Sequence, residues 1–178
     1  MPTPTPQPQV IVELGAGDYS NAIAMKKANP DAHVIATNLV EEWEAGKRLY
    51  ERGETEEWLA RVYKGWLDAQ VASVDVGATR PYENADVPSG VGDLVYTILP
   101  YPHIAYQFGI DAARIAGVES GTTVAITEGQ GHNAAKFIAG FQWKRPGSQF
   151  VPIPGALYGA PGELWESGPY VTWQYTVP

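Results

Sequence analysis

The chain has 178 residues, a hydrophobic fraction of 44% and a mean hydropathy of −0.21, which predicts one soluble globular domain with a core of its own. No apolar run approaches the roughly 20 residues that cross a bilayer, so no membrane partner is expected and the cytoplasm is the default location. The absence of cysteine excludes disulfides and thiolate metal sites, and no metal site is predicted. Twelve Lys and Arg stand against 20 Asp and Glu, and this net charge of −8 argues against a nucleic acid as partner.

Proline at every second position from 2 to 8 predicts an extended tether over residues 1–9, either a disordered tail or a linker to a larger parent protein. Residues 10–178 form the predicted single domain, in which short apolar runs alternate with helical periodicity. The predicted strands are 10–14, 33–37, 71–74, 93–98 and 122–126. The predicted helices are 20–29, 41–70 with a break near Gly53, 104–117 and 132–139.

Strands that alternate with helices are typical of right-handed βαβ crossovers and of a mainly parallel sheet with helices on both faces. Residues 141–178 differ, because they are rich in Gly, Pro and aromatic residues and contain two strand-like runs, 149–153 and 170–177. The sequence therefore predicts an α/β fold, a Rossmann-like three-layer sandwich with a mostly parallel sheet and a C-terminal antiparallel strand pair.

The turn after the first predicted strand reads Glu13-Leu-Gly-Ala-Gly-Asp-Tyr-Ser20. Open α/β sheets bind ligands at the carboxyl ends of their strands, and glycine lets the backbone approach a ligand closely. A dinucleotide site requires G-x-G-x-x-G, but Ser20 occupies the place of the third glycine. A carboxylate at position 13 would repel a pyrophosphate and attract the sulfonium and ammonium of S-adenosylmethionine. The turn therefore favours the sulfonium ligand.

The pattern of an acid, any residue, Gly, any residue, Gly after the first strand resembles class I S-adenosylmethionine-dependent methyltransferases, and the likeness extends from residue 10 to about 126. The resemblance implies that Glu13, Gly15, Ala16 and Gly17 hold this cofactor. It also implies ribose contacts after the second strand and adenine contacts after the third. The remaining predicted cofactor-binding residues are Asn38 and Leu39 at the ribose, Asp75 and Val76 at the adenine, and Leu99 after the fourth strand. Asn38 departs from the acid that the family has at its position.

The loop after the fourth predicted strand, Leu99-Pro-Tyr101-Pro-His103, is similar to the acceptor loop of amino-group methyltransferases, without their leading polar residue. Methyl transfer is an in-line displacement that needs alignment and, for a protonated nucleophile, a general base. Tyr101 and His103 are the predicted catalytic residues, with His132 and Glu128 as second choices.

The predicted function is methyl transfer from S-adenosylmethionine to a small-molecule or protein acceptor. Two alternatives stay open at this point. A nicotinamide-dependent Rossmann oxidoreductase would share the fold, although Glu13 and the missing third glycine argue against it. A non-catalytic binding module that keeps the cofactor fold would account for Asn38 and for the missing polar residue before Pro100.

Overall fold

Along most of the chain, strands and helices alternate in the predicted order. The structure is a computed structural model that describes residues 7–129, 131, 133–159, 163–165 and 168–178. The strands are β1 Val10–Glu13, β2 His33–Ala36, β3 Leu94–Ile98, β4 Thr123–Glu128, β5 Val151–Pro154, β6 Ala156–Leu157, β7 Leu164–Trp165 and β8 Val171–Thr176. The helices are α1 Ser20–Ala28, α2 Val40–Glu51, α3 Trp58–Val71, α4 Ala105–Ile115 and α5 Asn133–Lys144, with a short 3-10 turn at Asn84–Asp86.

Within the described residues, six strands form one sheet in the order β2-β1-β3-β4-β8-β5. Strands β2, β1, β3 and β4 are parallel, whereas β8 runs antiparallel to both β4 and β5. Strands β6 and β7 form a separate antiparallel pair. The predicted α/β class, mostly parallel sheet and closing antiparallel pair are confirmed.

Successive residues of each central strand face opposite helical layers, as the period of a strand requires. Ile11 packs among the side chains of α1, α2 and α3, while its neighbour Val12 packs among those of α4 and α5. Both residues are fully buried, which explains why the predicted strand is apolar without alternation. The sheet therefore lies between two helical layers.

The prediction of a regular third strand over residues 71–74 is wrong. Helix α3 continues to Val71, and Ser73 then adopts a positive φ of 65° in the turn that follows. What remains of the strand is two isolated parallel bridges, Asp75 with Ile35 and Tyr82 with Thr37. A short and mostly apolar run can close a helix as well as form a strand, and here Val71 ends α3 while Ala72, Ser73 and Val74 form the turn that closes it.

The other boundaries differ by smaller amounts. The predicted break near Gly53 is confirmed, because α2 ends at Glu51 and α3 begins at Trp58. Helix α5 extends to Lys144, beyond the predicted end at residue 139, since Phe137 and Phe141 lie one turn apart in the same core. Among the described residues, no helix is both long enough and apolar enough to span a membrane.

Helix α3 lies directly on the turn between β1 and α1. A Cβ added to Gly65 would overlap the carbonyl oxygen of Asp18, so the helix backbone and the turn are in direct contact. The same turn is also held from the second strand, because Ala16 N donates to Thr37 O at 2.8 Å. The β1–α1 turn is therefore fixed by backbone contacts on two sides.

Candidate functional site

A pocket of about 620 Å³ opens at the carboxyl ends of β1 and β3. Strand β1 lies between β2 and β3. The connection from β1 leads to β2 on one side, and the connection from β2 then leads back past β1 to β3 on the other side. This reversal of strand order is where open α/β sheets form their ligand crevice. The Gly-rich turn, the ends of β2 and β3, and the first turns of α2, α3 and α4 line the pocket.

Two glycines with positive φ shape the floor of the pocket, Gly15 at 66° and Gly17 at 59°. A Cβ at Gly15 would lie 2.7 Å from the ring of Phe108, and one at Gly17 would lie 3.5 Å from the ring of Trp58. Since L-residues rarely adopt this backbone region, both positions favour glycine, and at Gly15 an added Cβ would in addition overlap Phe108. The predicted Gly15, Ala16 and Gly17 all line the pocket.

Glu13 ends β1 with its side chain buried at the closed side of the pocket. The hydroxyl of Tyr96, on the neighbouring strand, donates a hydrogen bond to Glu13 Oε2. Burial raises the pKa of Glu13 from 4.5 to about 8, and this rise persists although the hydrogen bond from Tyr96 acts to lower it. Nearby, the side-chain amide of Asn21 lies at the hydroxyl of Tyr96.

Asn38 lines the pocket, but its side chain holds the turn in place. Its Nδ2 donates to the carbonyl of Gly17 at 2.8 Å, and its Oδ1 accepts from the backbone amide of Leu39 at 3.2 Å. An aspartate could not make the first of these bonds, because it has no donor when ionised. An asparagine at this position therefore stabilises the turn in a way that an aspartate cannot. Leu39 lies beside it in the pocket wall.

Asp75 and Val76 lie outside the pocket lining. Asp75 Oδ2 is 2.9 Å from Nε2 of His33, the first residue of β2. Val76 is buried under α3, where its carbonyl accepts from Trp66 Nε1 at 3.3 Å. These two predicted cofactor-binding residues are therefore not brought together with the others.

Three residues that the sequence interpretation missed line the pocket after the bridge at Tyr82, namely Glu83, Asn84 and Ala85. The amide of Asn84 connects two walls, because its Oδ1 accepts from Thr37 Oγ1 at 2.6 Å and its Nδ2 donates to Asp111 Oδ2 at 2.9 Å. The available signal was the run Tyr-Glu-Asn-Ala-Asp, whose Glu83 and Asp86 form the capping box of the short 3-10 turn.

The loop after β3 forms the opposite rim. Leu99 has a positive φ of 51°, a strained conformation for a residue with a Cβ, and its side chain is 48% exposed. Its backbone amide donates to Thr127 O at 2.9 Å, and Asn133 Nδ2 donates to Pro100 O at 2.6 Å. These bonds fix the loop to β4 and α5, so that Leu99 and Tyr101 line the pocket.

The predicted catalytic pair lies at this rim. The rings of Tyr101 and His103 are stacked, with centroids 5.8 Å apart and an interplanar angle of 14°. Tyr101 is 46% exposed and lines the pocket, whereas His103 lies outside the lining. Burial raises the pKa of Glu42, across the mouth on α2, while the charge of His103 acts to lower it.

The second choices for a base are not available in the described part of the chain. Both carboxylate oxygens of Glu128 are engaged, one by the amide of Ala134 at 3.0 Å and the other by Trp173 Nε1 at 3.0 Å. His132 lies outside the described residues. Tyr101 and His103 are thus the titratable candidates that the β3–α4 loop brings to the mouth.

The charge of the lining has one sign. Among the described residues, the pocket is lined by five acidic side chains and by no Lys, Arg or His. The acidic residues are Glu13, Asp18, Glu42, Glu83 and Asp111. Such a lining attracts a cationic ligand and repels an anionic one.

Comparisons with solved structures agree on the fold. Over 94% of this chain and 78% of the other, it is similar to a precorrin-6y C5,15-methyltransferase from Geobacter metallireducens, with 16% identity and a TM-score of 0.54. A predicted O-methyltransferase from Agrobacterium tumefaciens is 19% identical, with a TM-score of 0.53, over 94% of this chain and 73% of that one. No protein-family model matches the sequence, and no curated protein does.

The chain has the class I S-adenosylmethionine-dependent methyltransferase fold. The predicted resemblance is thereby confirmed at the level of the fold. The class I methyltransferase sheet accounts for the position of the pocket, and the nicotinamide alternative is not favoured by the structures that match.

The prediction that argued against a nucleic acid as partner is wrong. A 16S rRNA N2 G1207 methyltransferase from T. thermophilus shares the class I methyltransferase fold, with a TM-score of 0.54 and 13% identity over 98% of this chain. This chain covers 36% of that protein. A net charge summed over a chain does not locate its surfaces, so the value of −8 does not exclude a nucleic-acid acceptor.

Proposed function

We propose that the protein binds S-adenosylmethionine in the pocket at the ends of β1 and β3 and transfers its methyl group to a nucleophilic acceptor. The observation that carries this proposal is the lining of five acidic side chains around a turn with two positive-φ glycines. S-adenosylmethionine carries a sulfonium and an ammonium, which a lining of this charge attracts. The pyrophosphate of a dinucleotide would be repelled by those carboxylates of the lining that are ionised at neutral pH.

Several residues of the pocket have the chemistry that S-adenosylmethionine requires. The cradle at Gly15 and Gly17 has no Cβ to obstruct a ligand, and the side-chain amide of Asn21, which also lines the pocket, is a donor that a ligand carboxylate can use. Glu13 would face the charged end of the cofactor. Beyond the end of β2, Asn38 and Leu39 would border the ribose. After the bridge at Tyr82, Glu83 and Asn84 would take the place of Asp75 and Val76 beside the adenine.

The cofactor supplies a methyl group already activated by the sulfonium, so the protein's task is to align the acceptor and exclude water. Tyr101 offers an exposed ring and hydroxyl at the mouth, and His103 stacks behind it. In this proposal Tyr101 contacts the acceptor and His103 takes up a proton when the nucleophile carries one. Leu99 forms the apolar wall between the acceptor and the cofactor.

Calorimetric titration with S-adenosylmethionine, S-adenosylhomocysteine and NAD tests the proposal. We expect saturable binding of both sulfur compounds and no binding of NAD. Gly17→Val should abolish binding, because the new side chain would fill the space between the turn and Trp58. Gly147→Val is the matched control, since Gly147 has a φ of 89° with no atom within 4 Å of an added Cβ.

Saturable NAD binding, with no response to either sulfur compound at millimolar concentration, would overturn the proposal. Product formation distinguishes a methyltransferase from a non-catalytic binding module. We expect S-adenosylhomocysteine to form when acceptor panels of small molecules, proteins and RNA are supplied. Binding without product from any panel would favour a binding module.

A further inference from the structure

Glu13 and Tyr96 form a buried pair at the closed end of the pocket. They lie opposite each other in the register of β1 and β3, and the tyrosine hydroxyl donates to the carboxyl oxygen. Glu13 is 2% exposed and Tyr96 is fully buried, yet Glu13 also lines the pocket. The carboxyl group is therefore shielded from bulk water and accessible only to what occupies the pocket.

No basic side chain among the described residues of the lining balances a charge on Glu13. The groups around it are Asp18 and Tyr19 in the turn, Asn21 on α1 and Thr37 at the end of β2. Burial raises the pKa of Glu13 to about 8, the hydrogen bond from Tyr96 lowers it, and Asp18 raises it further. Burial also raises the pKa of Tyr96 well above its usual range, so both groups are mostly uncharged at pH 7.

We propose that Glu13 and Tyr96 act as a charge-sensing pair, uncharged in the free protein, which releases one proton to solvent when a positively charged ligand enters the pocket. The inference rests on the proposed function, since S-adenosylmethionine is the cationic ligand in question. The O–H bond of the Glu13 carboxyl breaks, its electron pair stays on the carboxylate, and the proton leaves to water or buffer. Tyr96 keeps its proton and its hydrogen bond stabilises the new carboxylate.

The pair gives the pocket a means of distinguishing ligands by charge. A cationic ligand stabilises the ionised carboxylate, whereas a neutral nucleoside finds an uncharged wall. Affinity for S-adenosylmethionine should therefore rise with pH from about 6 to about 7.5, by up to about tenfold per pH unit, because the ionised fraction of Glu13 rises by that factor below its pKa. Above this window the ligand's own α-amino group begins to lose its proton.

Calorimetry in two buffers of different ionisation enthalpy measures the released proton directly. At pH 7 we expect close to one proton released with S-adenosylmethionine and none with 5′-methylthioadenosine, which lacks both positive charges. S-adenosylhomocysteine, which keeps the ammonium alone, should fall between them. Glu13→Gln should bind S-adenosylmethionine without proton release and without the rise in affinity.

Tyr96→Phe is the second variant, and it keeps Glu13 intact. This variant lacks the hydrogen bond that lowers the pKa of Glu13, so the pKa should rise further. The increase in affinity for S-adenosylmethionine should then occur at higher pH. Binding of S-adenosylmethionine with no proton release in the wild type, or with undiminished release in Glu13→Gln, would overturn the charge-sensing pair and leave the proposed function standing. A protein that binds none of the three ligands would overturn the proposed function, and this inference with it.

Discussion

Replacing Glu13 by Gln should change how the free energy of unfolding depends on pH. In the folded protein burial raises the pKa of this carboxyl group to about 8, whereas in the unfolded chain it returns to its ordinary value near 4.5. Between these values the native state binds one proton more than the unfolded state. Stability must then fall as pH rises. The side-chain amide of the variant does not titrate in this range, so the stability of the variant lacks this slope.

The magnitude follows from the two pKa values. Each pH unit in the middle of the window changes the unfolding free energy by about 1.4 kcal/mol. Integrated between pH 5 and pH 8, the difference is about 3.5 kcal/mol. Glu13→Gln should therefore gain about that much stability relative to the wild type as pH is raised from 5 to 8.

Urea unfolding at half-unit pH steps, followed by circular dichroism, measures this difference. Carboxylates that do not interact with Glu13 contribute equally to both proteins and cancel. Glu44→Gln, which removes an exposed glutamate of α2, is the matched control and should track the wild type. A difference between Glu13→Gln and wild type that stays constant from pH 5 to pH 8 would refute the raised pKa, and with it the uncharged state of the pair.

Three further changes test the pocket. Asn38→Asp should weaken S-adenosylhomocysteine binding about tenfold, the cost of a lost hydrogen bond, because a carboxylate cannot donate to Gly17 O; tighter binding in calorimetry would contradict this. Asn84→Ala should reduce the preference for adenosyl over inosyl ligands by about 1–3 kcal/mol, and unchanged discrimination would mean that another residue contacts the base. Trp58→Phe should remove the tryptophan fluorescence change on ligand binding, while Trp143→Phe, at an exposed position of α5, should keep it; the opposite result would place the ligand elsewhere.

Local chemistry was sufficient to predict the first half of the site. Strand β1, its glycines and Glu13 are contiguous in the sequence, so their position at one sheet end follows from the order strand, turn, helix. The sheet and its antiparallel closure follow in the same way from alternation and from the change of composition after residue 141. These features depend on neighbours in the chain.

The part of the pocket lining that follows Tyr82 could not be predicted from the sequence, because it depends on contacts between separate elements. The chain rejoins the sheet beside β2 at Asp75, whose carboxylate binds His33 outside the pocket, and it reaches the pocket only after a second bridge at Tyr82. The pocket-facing residue is then Asn84, whose partners Thr37 and Asp111 are distant in sequence. Contacts of this kind between separate elements leave no periodic signal.

The direct contact between Gly65 and the carbonyl of Asp18 leaves no free space between helix α3 and the turn on one side of the pocket. Helix α3 therefore cannot move towards the turn without backbone overlap, and we expect no closure of the pocket by an inward movement of this helix. We expect ligand exchange to depend on rotations of two exposed side chains that line the pocket, Trp58 and Tyr101. Such rotations take nanoseconds, whereas a domain hinge takes microseconds to milliseconds. The residence time of a bound cofactor should accordingly be set by the strength of its contacts with the pocket and not by the opening rate of a lid.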